Sequence, residues 1–436
     1  MNVSSIEARS KRTPLRGTID LPGDKSITHR AIILSALGEG TGEIVGYLPS
    51  EDCERTIAAF REMGISITSE TSDGIPTLWV EGKGLGGLSE PKGVIDCGNS
   101  GTTMRLLTGL LAGQSFFSVL TGDASLRKRP MRRVVDPIRI MGGEIMGRSG
   151  GDFAPLAISG RKLSALDYRL PIASAQVKSA ILLAGLVASG VTTLSEPTRS
   201  RDHTERMFRY LGVAFTEEEE GLSVEGGVPF RNKRIDVPGD ISSAAFFMVA
   251  AMIVKGSEIT LRRIGVNPTR SGILNMLQEM GAEISVKPLE PICNEPTADI
   301  TVRSSALRGT VIEGESVSRV LDEFPILCIA AASAEGETVI RNAEELRVKE
   351  SDRIATMAMA LRGMGIVTET FPDGVRIQGR RGWKGTACET GGDHRVAMSM
   401  VVAGLVAEGG NQIDDVACIN TSFPGFLDLL SELRAA

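Results

Sequence analysis

The stretch 21-LPGDKSITHRAIILSALGEG-40 returns under different side chains as 237-VPGDISSAAFFMVAAMIVKG-256. Each copy has a β-like approach, a Pro-Gly-Asp turn, a small hydroxyl residue and an apolar helix that ends at glycine. In the first copy Asp24 stands where an N-cap belongs, so a helix is expected from near Lys25 toward Leu37. Four looser copies follow the same plan: CGNSGTTMRLLTGLLAG (97–113), ASAQVKSAILLAGLVASG (173–190), DEFPILCIAAASAEG (322–336) and GGDHRVAMSMVVAGLVAEG (391–409). The chain therefore carries six related apolar helices.

A second helix type alternates with them and stops at a glycine: CERTIAAFREMG, MRRVVDPIRIMG, HTERMFRYLG, RSGILNMLQEMG and DRIATMAMALRGMG, with a shortened PGFLDLLSEL near the end. Each full copy is followed by a short alternating stretch such as ISITSE or AEISVKP, which reads as a strand after a glycine C-cap. The stops at Gly64, Gly142, Gly212, Gly281 and Gly365 are roughly 70 to 85 residues apart, too long for a solenoid repeat and about right for one βαβαββ unit. The fold class is α/β, with six βαβαββ units in two pseudo-symmetric halves of three. In each unit one helix should be buried and the other amphipathic. The Pro-Gly-Asp turns mark the expected crossings, giving one domain of residues 23–237 and another of residues 1–22 plus 238–436. The acidic run TEEEE from Thr216 reads as a solvated hairpin tip.

The first stretch poses an electrostatic problem. The start of a helix carries unpaired N–H groups and the positive end of the macrodipole, so cations there are unfavourable. Lys25 and Arg30 nevertheless crowd that end, together with Ser26, Thr28 and His29. An anionic ligand, phosphate or carboxylate, would turn this cost into a gain. The alternative is a solvated basic helix end with a satisfied His29.

Composition narrows the classes. The 436 residues suit two or three domains. The formal charge of −6 excludes a general basic field, and aromatics at 4% exclude a stacking platform for nucleic acid. Six cysteines lie far apart without a C-x-x-C, and the three histidines are scattered, so neither a disulfide framework nor a zinc or iron site is expected. The N-terminal residues lack an apolar signal core, and the run AAFFMVAAMIV is too short for a membrane span. The expectation is a soluble cytoplasmic monomer.

Polar residues concentrate at the starts of the apolar helices: Lys25, Ser26 and Arg30; Asn99, Ser100, Thr102 and Thr103; Ser174 and Gln176; Asp322 and Glu323; Asp393, His394 and Arg395. Two further clusters are ASLRKRPMRRV around Arg129 and LRVKESDR around Glu350. On a helix, Lys349, Glu350 and Arg353 would share one side, either as an exposed ion triad or as part of a site. Asp322 is either an N-cap or a general base. Two other motifs fail. Gly82, Gly84 and Gly87 spell G-x-G-x-x-G, but no helix follows; Asp24-Lys25-Ser26 resembles the end of a Walker A loop without its glycines. No NAD, ATP or other cofactor is expected.

The ordered set LPGDKSITHRA, GNSGTTMR, GDASLRKRPM, ASAQVKSA, SRDHTE, LDEFP, ELRVKESDR and GGDHRVAMS spans nearly the whole chain and closely resembles the 5-enolpyruvylshikimate-3-phosphate synthase family. The resemblance implies the two-domain enolpyruvyl-transferase fold, an inside-out α/β barrel with three units per domain around a cleft. It implies transfer of the enolpyruvyl group of phosphoenolpyruvate to the 5-hydroxyl of shikimate 3-phosphate, on the route to aromatic amino acids. By matching motifs, phosphoenolpyruvate would meet Lys25, Gly101, Arg129, Gln176, Arg353 and Arg395. Shikimate 3-phosphate would meet Lys25, Ser26, Arg30, Ser174, Ala175, Gln176, Arg201, Asp322 and Lys349. Asp322 would take the hydroxyl proton, Glu350 would protonate the methylene carbon, and Lys25 would assist.

The physical chemistry agrees with such roles, since arginine binds planar anions bidentately and charge-assisted bonds are worth about 1.5 to 3 kcal/mol each. The chain departs from many members at Thr421-Ser422-Phe423-Pro424, where a lysine is usual, and at Ser174-Ala175-Gln176, where two serines are usual. Gly101 is retained, which predicts that glyphosate still enters the phosphoenolpyruvate pocket. The rival activities are enolpyruvyl transfer to UDP-N-acetylglucosamine, whose loop cysteine has no counterpart in ASLRKRP, and anion binding without catalysis.

Overall fold

A computed structural model describes residues 6–8, 13–218 and 221–435. The chain divides into two compact units, one made of residues 1–22, 238–290 and 296–436, the other of residues 23–237 and 291–295. Each unit has its own apolar core.

In the 23–237 unit the helices are α1 (Lys25–Leu37), α2 (Glu51–Glu62), α3 (Gly101–Ala112), α4 (Arg132–Ile140), α5 (Ala175–Val187) and α6 (His203–Leu211). The other unit holds α7 (Ile241–Ile253), α8 (Gly272–Glu279), α9 (Phe324–Ser333), α10 (Arg353–Gly363), α11 (His394–Gly404) and α12 (Phe426–Ala435). A single turn, Glu315–Ser318, stands outside this alternation. The odd-numbered helices are buried on all sides along most of their length and predominantly apolar beyond their first turns, as a helix enclosed by neighbours requires. Helices α2, α4, α6 and α8 bury one face only.

The sheets repeat as the helices do. Among the described residues, five four-stranded sheets share one plan: two parallel strands, then an antiparallel hairpin whose second strand pairs with the inner one. In one of them Ile95–Asp96 runs parallel to Phe117–Thr121, and the hairpin is Glu144–Arg148 with Phe153–Ser159. A three-stranded sheet of Ile6–Ala8, Asn411–Ile413 and Ala387–Cys388 completes the series. Five such units and a sixth with three described strands make the α/β architecture predicted from the repeat.

Local chemistry sets the element ends. Gly64, Gly142, Gly212, Gly281 and Gly365 all have φ between 77° and 96°. At Gly212 this left-handed residue closes α6 and returns its N–H to Phe208. Gly109 serves packing instead. A Cβ there would lie 2.1 Å from the Ala180 carbonyl oxygen, so only glycine lets α3 and α5 approach this closely.

The acidic run is only partly free. Thr216–Glu218 lie in a strand, Glu217 is paired with Arg199 and Arg209, and residues 219–220, at the expected tip, lie outside the described residues. No helix among the described residues is long and apolar enough to cross a membrane.

Candidate active site

In the 23–237 unit the site begins at α1. Asp24 caps the helix by accepting the Ile27 N–H at 2.9 Å. Lys25 Nζ donates to Asp52 Oδ2 at 2.9 Å, so its charge at the positive helix end is balanced by the acidic first turn of α2. His29 and Arg30 are buried, which rules out a merely solvated basic end. Desolvation, reinforced by Lys25 and Arg30, lowers the His29 pKa well below its ordinary value and keeps the ring neutral. Its Nδ1 lies 2.7 Å from Thr56 Oγ1; Thr56 meets Thr103, and Thr103 donates to Ser100, the N-cap of α3. A hydroxyl chain thus links the first helix to the start of the third.

Around α3 the predicted residues gather. Arg129 Nη2 donates to Asn99 Oδ1 at 2.6 Å, and Gln176 Nε2 donates to Thr102 Oγ1 at 3.0 Å. Arg105, not assigned from sequence, donates to Gln176 Oε1 at 2.6 Å and to the Pro130 carbonyl at 3.3 Å. An arginine inside the apolar run GTTMRLL was the signal that could have found it. Gly101 leaves space between two guanidiniums: a Cβ would lie 3.1 Å from Arg105 Nη1 and 3.3 Å from Arg129 Nη1.

Arg30 donates to the Ser26 carbonyl at 2.9 Å, and at 2.7 Å to Thr204 Oγ1 and to Ser179 Oγ. Ser174 and Ala175 open α5, with Ser174 at the N-cap but making no side-chain cap bond. Arg201 is half-buried just ahead of α6.

In the other unit Asp322 lies in a 3-10 turn, Leu321–Glu323, and the N-cap position of α9 is taken by Glu323, not by Asp322. Its Oδ1 stands 3.8 Å from Arg353 Nη1 and 3.9 Å from Lys349 Nζ. Glu350 Oε2 accepts from Arg353 Nη2 at 2.8 Å. The helical reading of Lys349, Glu350 and Arg353 needs correction. Glu344–Val348 is a 3-10 turn, Lys349 is extended, and α10 starts only after Asp352, whose carboxylate caps it through the Ala355 N–H. The cap outcompetes continuation of the helix, and the chain bend still brings Glu350 onto Arg353.

Arg353 is 1% exposed. Burial works against its charge, but the Asp393 and Glu350 carboxylates, the hydrogen bond to Asp393 and nearby Asp322 outweigh burial and push its pKa up. Asp393 accepts Arg353 Nε at 2.8 Å and caps α11 through the Arg395 N–H at 3.0 Å. Arg395 Nη1 donates to the Asp322 carbonyl at 2.8 Å and stands 3.8 Å from Glu323 Oε1. Thr421 ends a 3-10 turn, Ala417–Thr421, and Ser422 follows it, so the position where many relatives carry a lysine is uncharged. Among the described residues no group of three or more His, Cys, Asp or Glu is arranged to hold a metal.

The structure thus gathers the predicted residues into two sets. Lys25, Ser26, Arg30, Gly101, Arg129, Ser174, Ala175, Gln176 and Arg201 belong to one unit, and Asp322, Lys349, Glu350, Arg353 and Arg395 to the other. In the second set two carboxylates share one buried guanidinium, with further cations beside them. This arrangement can bind an anion and move protons on either side of it.

Six βαβαββ units carrying such a set define an enolpyruvyl-transferase architecture. The enolpyruvyl transferase NikO from Streptomyces tendae shares this fold at a TM-score of 0.78, with 17% identity over 98% of this chain and 97% of that one. The chain belongs to the EPSP synthase (3-phosphoshikimate 1-carboxyvinyltransferase) family, whose profile matches residues 10–430. It is 52% identical over 434 residues to the 3-phosphoshikimate 1-carboxyvinyltransferase of Pelobacter propionicus, covering 100% of this chain and 99% of the relative. Identity to the same enzyme of Geobacter sulfurreducens is 53% over 433 residues, 99% of each chain. The solved EPSP synthase from Acinetobacter baumannii superposes with a TM-score of 0.85 at 44% identity, covering 98% of this chain and 97% of that one.

Proposed function

We propose that this chain transfers the enolpyruvyl group of phosphoenolpyruvate to the 5-hydroxyl of shikimate 3-phosphate and releases phosphate, a step toward aromatic amino acids. The observation that carries the reading is the pair Asp322 and Glu350 flanking the buried Arg353. Enol ether transfer needs an acceptor for the alcohol proton and a donor for the enol carbon, each typically worth about 10²- to 10⁴-fold in rate.

Asp322 takes the proton from the 5-hydroxyl as its oxygen bonds to C2 of phosphoenolpyruvate. Glu350 delivers a proton to C3, turning the methylene into a methyl group. The resulting tetrahedral intermediate then loses phosphate as the C–O bond breaks and the methyl group returns a proton to Glu350. Arg353 and Arg395, with Lys25, Gly101, Arg129 and Gln176, hold phosphoenolpyruvate, and Lys25 supports the charge that develops on its phosphate. Shikimate 3-phosphate is held by Lys25, Ser26, Arg30, Ser174, Ala175, Gln176, Arg201, Asp322 and Lys349. The two compact units act as the protein's domains, with boundaries at 22/23 and 237/238, and the enzyme works as a cytoplasmic monomer without cofactor. Thr421 and Ser422 leave the phosphoenolpyruvate site with one cation fewer than many relatives have.

The test is phosphate release with phosphoenolpyruvate plus shikimate 3-phosphate, run beside UDP-N-acetylglucosamine as acceptor. Release only with the UDP-sugar would replace this reading by the rival transferase, and release with neither would leave an anion-binding protein.

A further inference from the structure

Lys178 lies one turn beyond the start of α5 and is 1% exposed, an unusual place for an ammonium group. It plays no part in the chemistry above. Its Nζ contacts Glu196 Oε2 at 2.7 Å and Glu205 Oε1 at 2.6 Å, and donates to the Ser200 carbonyl at 3.4 Å. Glu196 in turn grips the same residue, accepting the Ser200 hydroxyl at 2.5 Å and the Ser200 N–H at 3.3 Å. Ser200 is therefore held through its N–H, its hydroxyl and its carbonyl by one buried ion pair.

The other neighbour of Arg201 is fixed as well. Asp202, fully buried, accepts from Arg199 at 3.0 Å and from Arg206 at 2.8 Å. Beside Lys178, Ser179 meets Thr204, and both hydroxyls accept from Arg30 at 2.7 Å. One patch on α5 thus sets both the segment that presents Arg201 and the side chain of Arg30. A surface loop needs no buried ammonium for stability, whereas a guanidinium that must meet a phosphate within a few tenths of an ångström needs a backbone locked on both sides.

We infer that Lys178, acting through Glu196 and Ser200, is a positioning residue that fixes Arg201 for shikimate 3-phosphate. The inference rests on the assignment of Arg201 to that substrate. Lys178 and Glu196 are assigned to neither substrate, so their substitution acts on shikimate 3-phosphate only through Arg201 and spares phosphoenolpyruvate.

The experiment measures the dissociation constant of shikimate 3-phosphate by titration calorimetry, without phosphoenolpyruvate, for wild type, Ser200→Ala, Glu196→Gln, Lys178→Met, Arg201→Ala and the double variant Ser200→Ala/Arg201→Ala. Ser200→Ala removes one hydroxyl and keeps every charge, so it tests the idea even where Lys178→Met fails to fold. Binding should weaken about 5- to 20-fold in Ser200→Ala and Glu196→Gln, with the KM for phosphoenolpyruvate at saturating shikimate 3-phosphate within about twofold of wild type. Arg201→Ala should weaken binding more, and Ser200→Ala should add nothing once Arg201 is gone. Additive effects in the double variant, or unchanged binding in both Ser200→Ala and Glu196→Gln, would overturn the positioning role while Arg201 keeps its own. Unchanged binding in Arg201→Ala would remove the substrate assignment and the inference with it.

Discussion

Asp322 and Glu350 are the side chains on which the proposed chemistry turns. Replacing either by alanine should lower kcat by about 10²- to 10⁴-fold in steady-state assays; calorimetry should find shikimate 3-phosphate still bound normally by Glu350→Ala and more weakly by Asp322→Ala, which also loses a contact to that substrate. Normal turnover in one variant would strip that residue of its part. Gly101 is a second decisive position. A methyl group there would press on Arg105 and Arg129, so Gly101→Ala should raise the KM for phosphoenolpyruvate severalfold. Glyphosate should compete with phosphoenolpyruvate in the wild type, and Gly101→Ala should raise its inhibition constant too. Noncompetitive inhibition would show that the compound binds elsewhere. What sequence missed at this scale were partners far away along the chain. Arg105 meets Gln176 across 71 positions and Arg353 meets Asp393 across 40, and neither spacing carries a periodic signal. The motif residues stood out because the starts of the apolar helices repeat a local polar pattern.

The apolar helices were readable for a related reason, since an uninterrupted apolar run between a turn and a glycine has few folded alternatives. Where two local signals competed, sequence reasoning chose wrongly: Asp352 caps a new helix and ends the periodic reading of Lys349 to Arg353. Burial was harder to foresee. His29, read either as part of an anion site or as a satisfied histidine on a solvated basic helix end, is enclosed and neutral. Its folded pKa lies below the unfolded value of about 6.5, so the unfolded chain binds more protons just below that pH. The stabilisation is complete above about pH 6.5 and is lost as pH falls below it, at up to about 1.4 kcal/mol per pH unit. His29→Asn should flatten that part of the profile in urea titrations between pH 7 and 5. Equal slopes for variant and wild type would refute it.

On the scale of the whole molecule, two separate cores predict two thermal transitions in calorimetry, since cooperative melting follows shared packing. Gly109→Ala forces α3 away from α5 and should lower the transition of the 23–237 unit by several degrees while sparing the other. A single transition that shifts as a whole would show that the two cores melt as one. The six-unit plan could be read from the chain because its helices and glycine stops recur. The membership of residues 291–295 in the 23–237 unit could not, because it depends on contacts such as His203 with Glu295 that join distant segments.

The parallel pairing of Arg16–Asp20 with Glu258–Gly265 also constrains how the protein is made. Asp20 and its partner Arg262 are 242 residues apart. During translation at about 5 to 20 residues per second, the early strand waits roughly 12 to 48 s for its neighbour to be made, while most of the intervening 23–237 segment leaves the ribosome. That segment can condense first, and its closure would carry the waiting end toward the growing chain. Nascent polypeptides stalled far enough past Val237 for all of 23–237 to have emerged, but with Glu258–Gly265 still inside the ribosome, should therefore resist protease across 23–237 while remaining cleavable near Arg16.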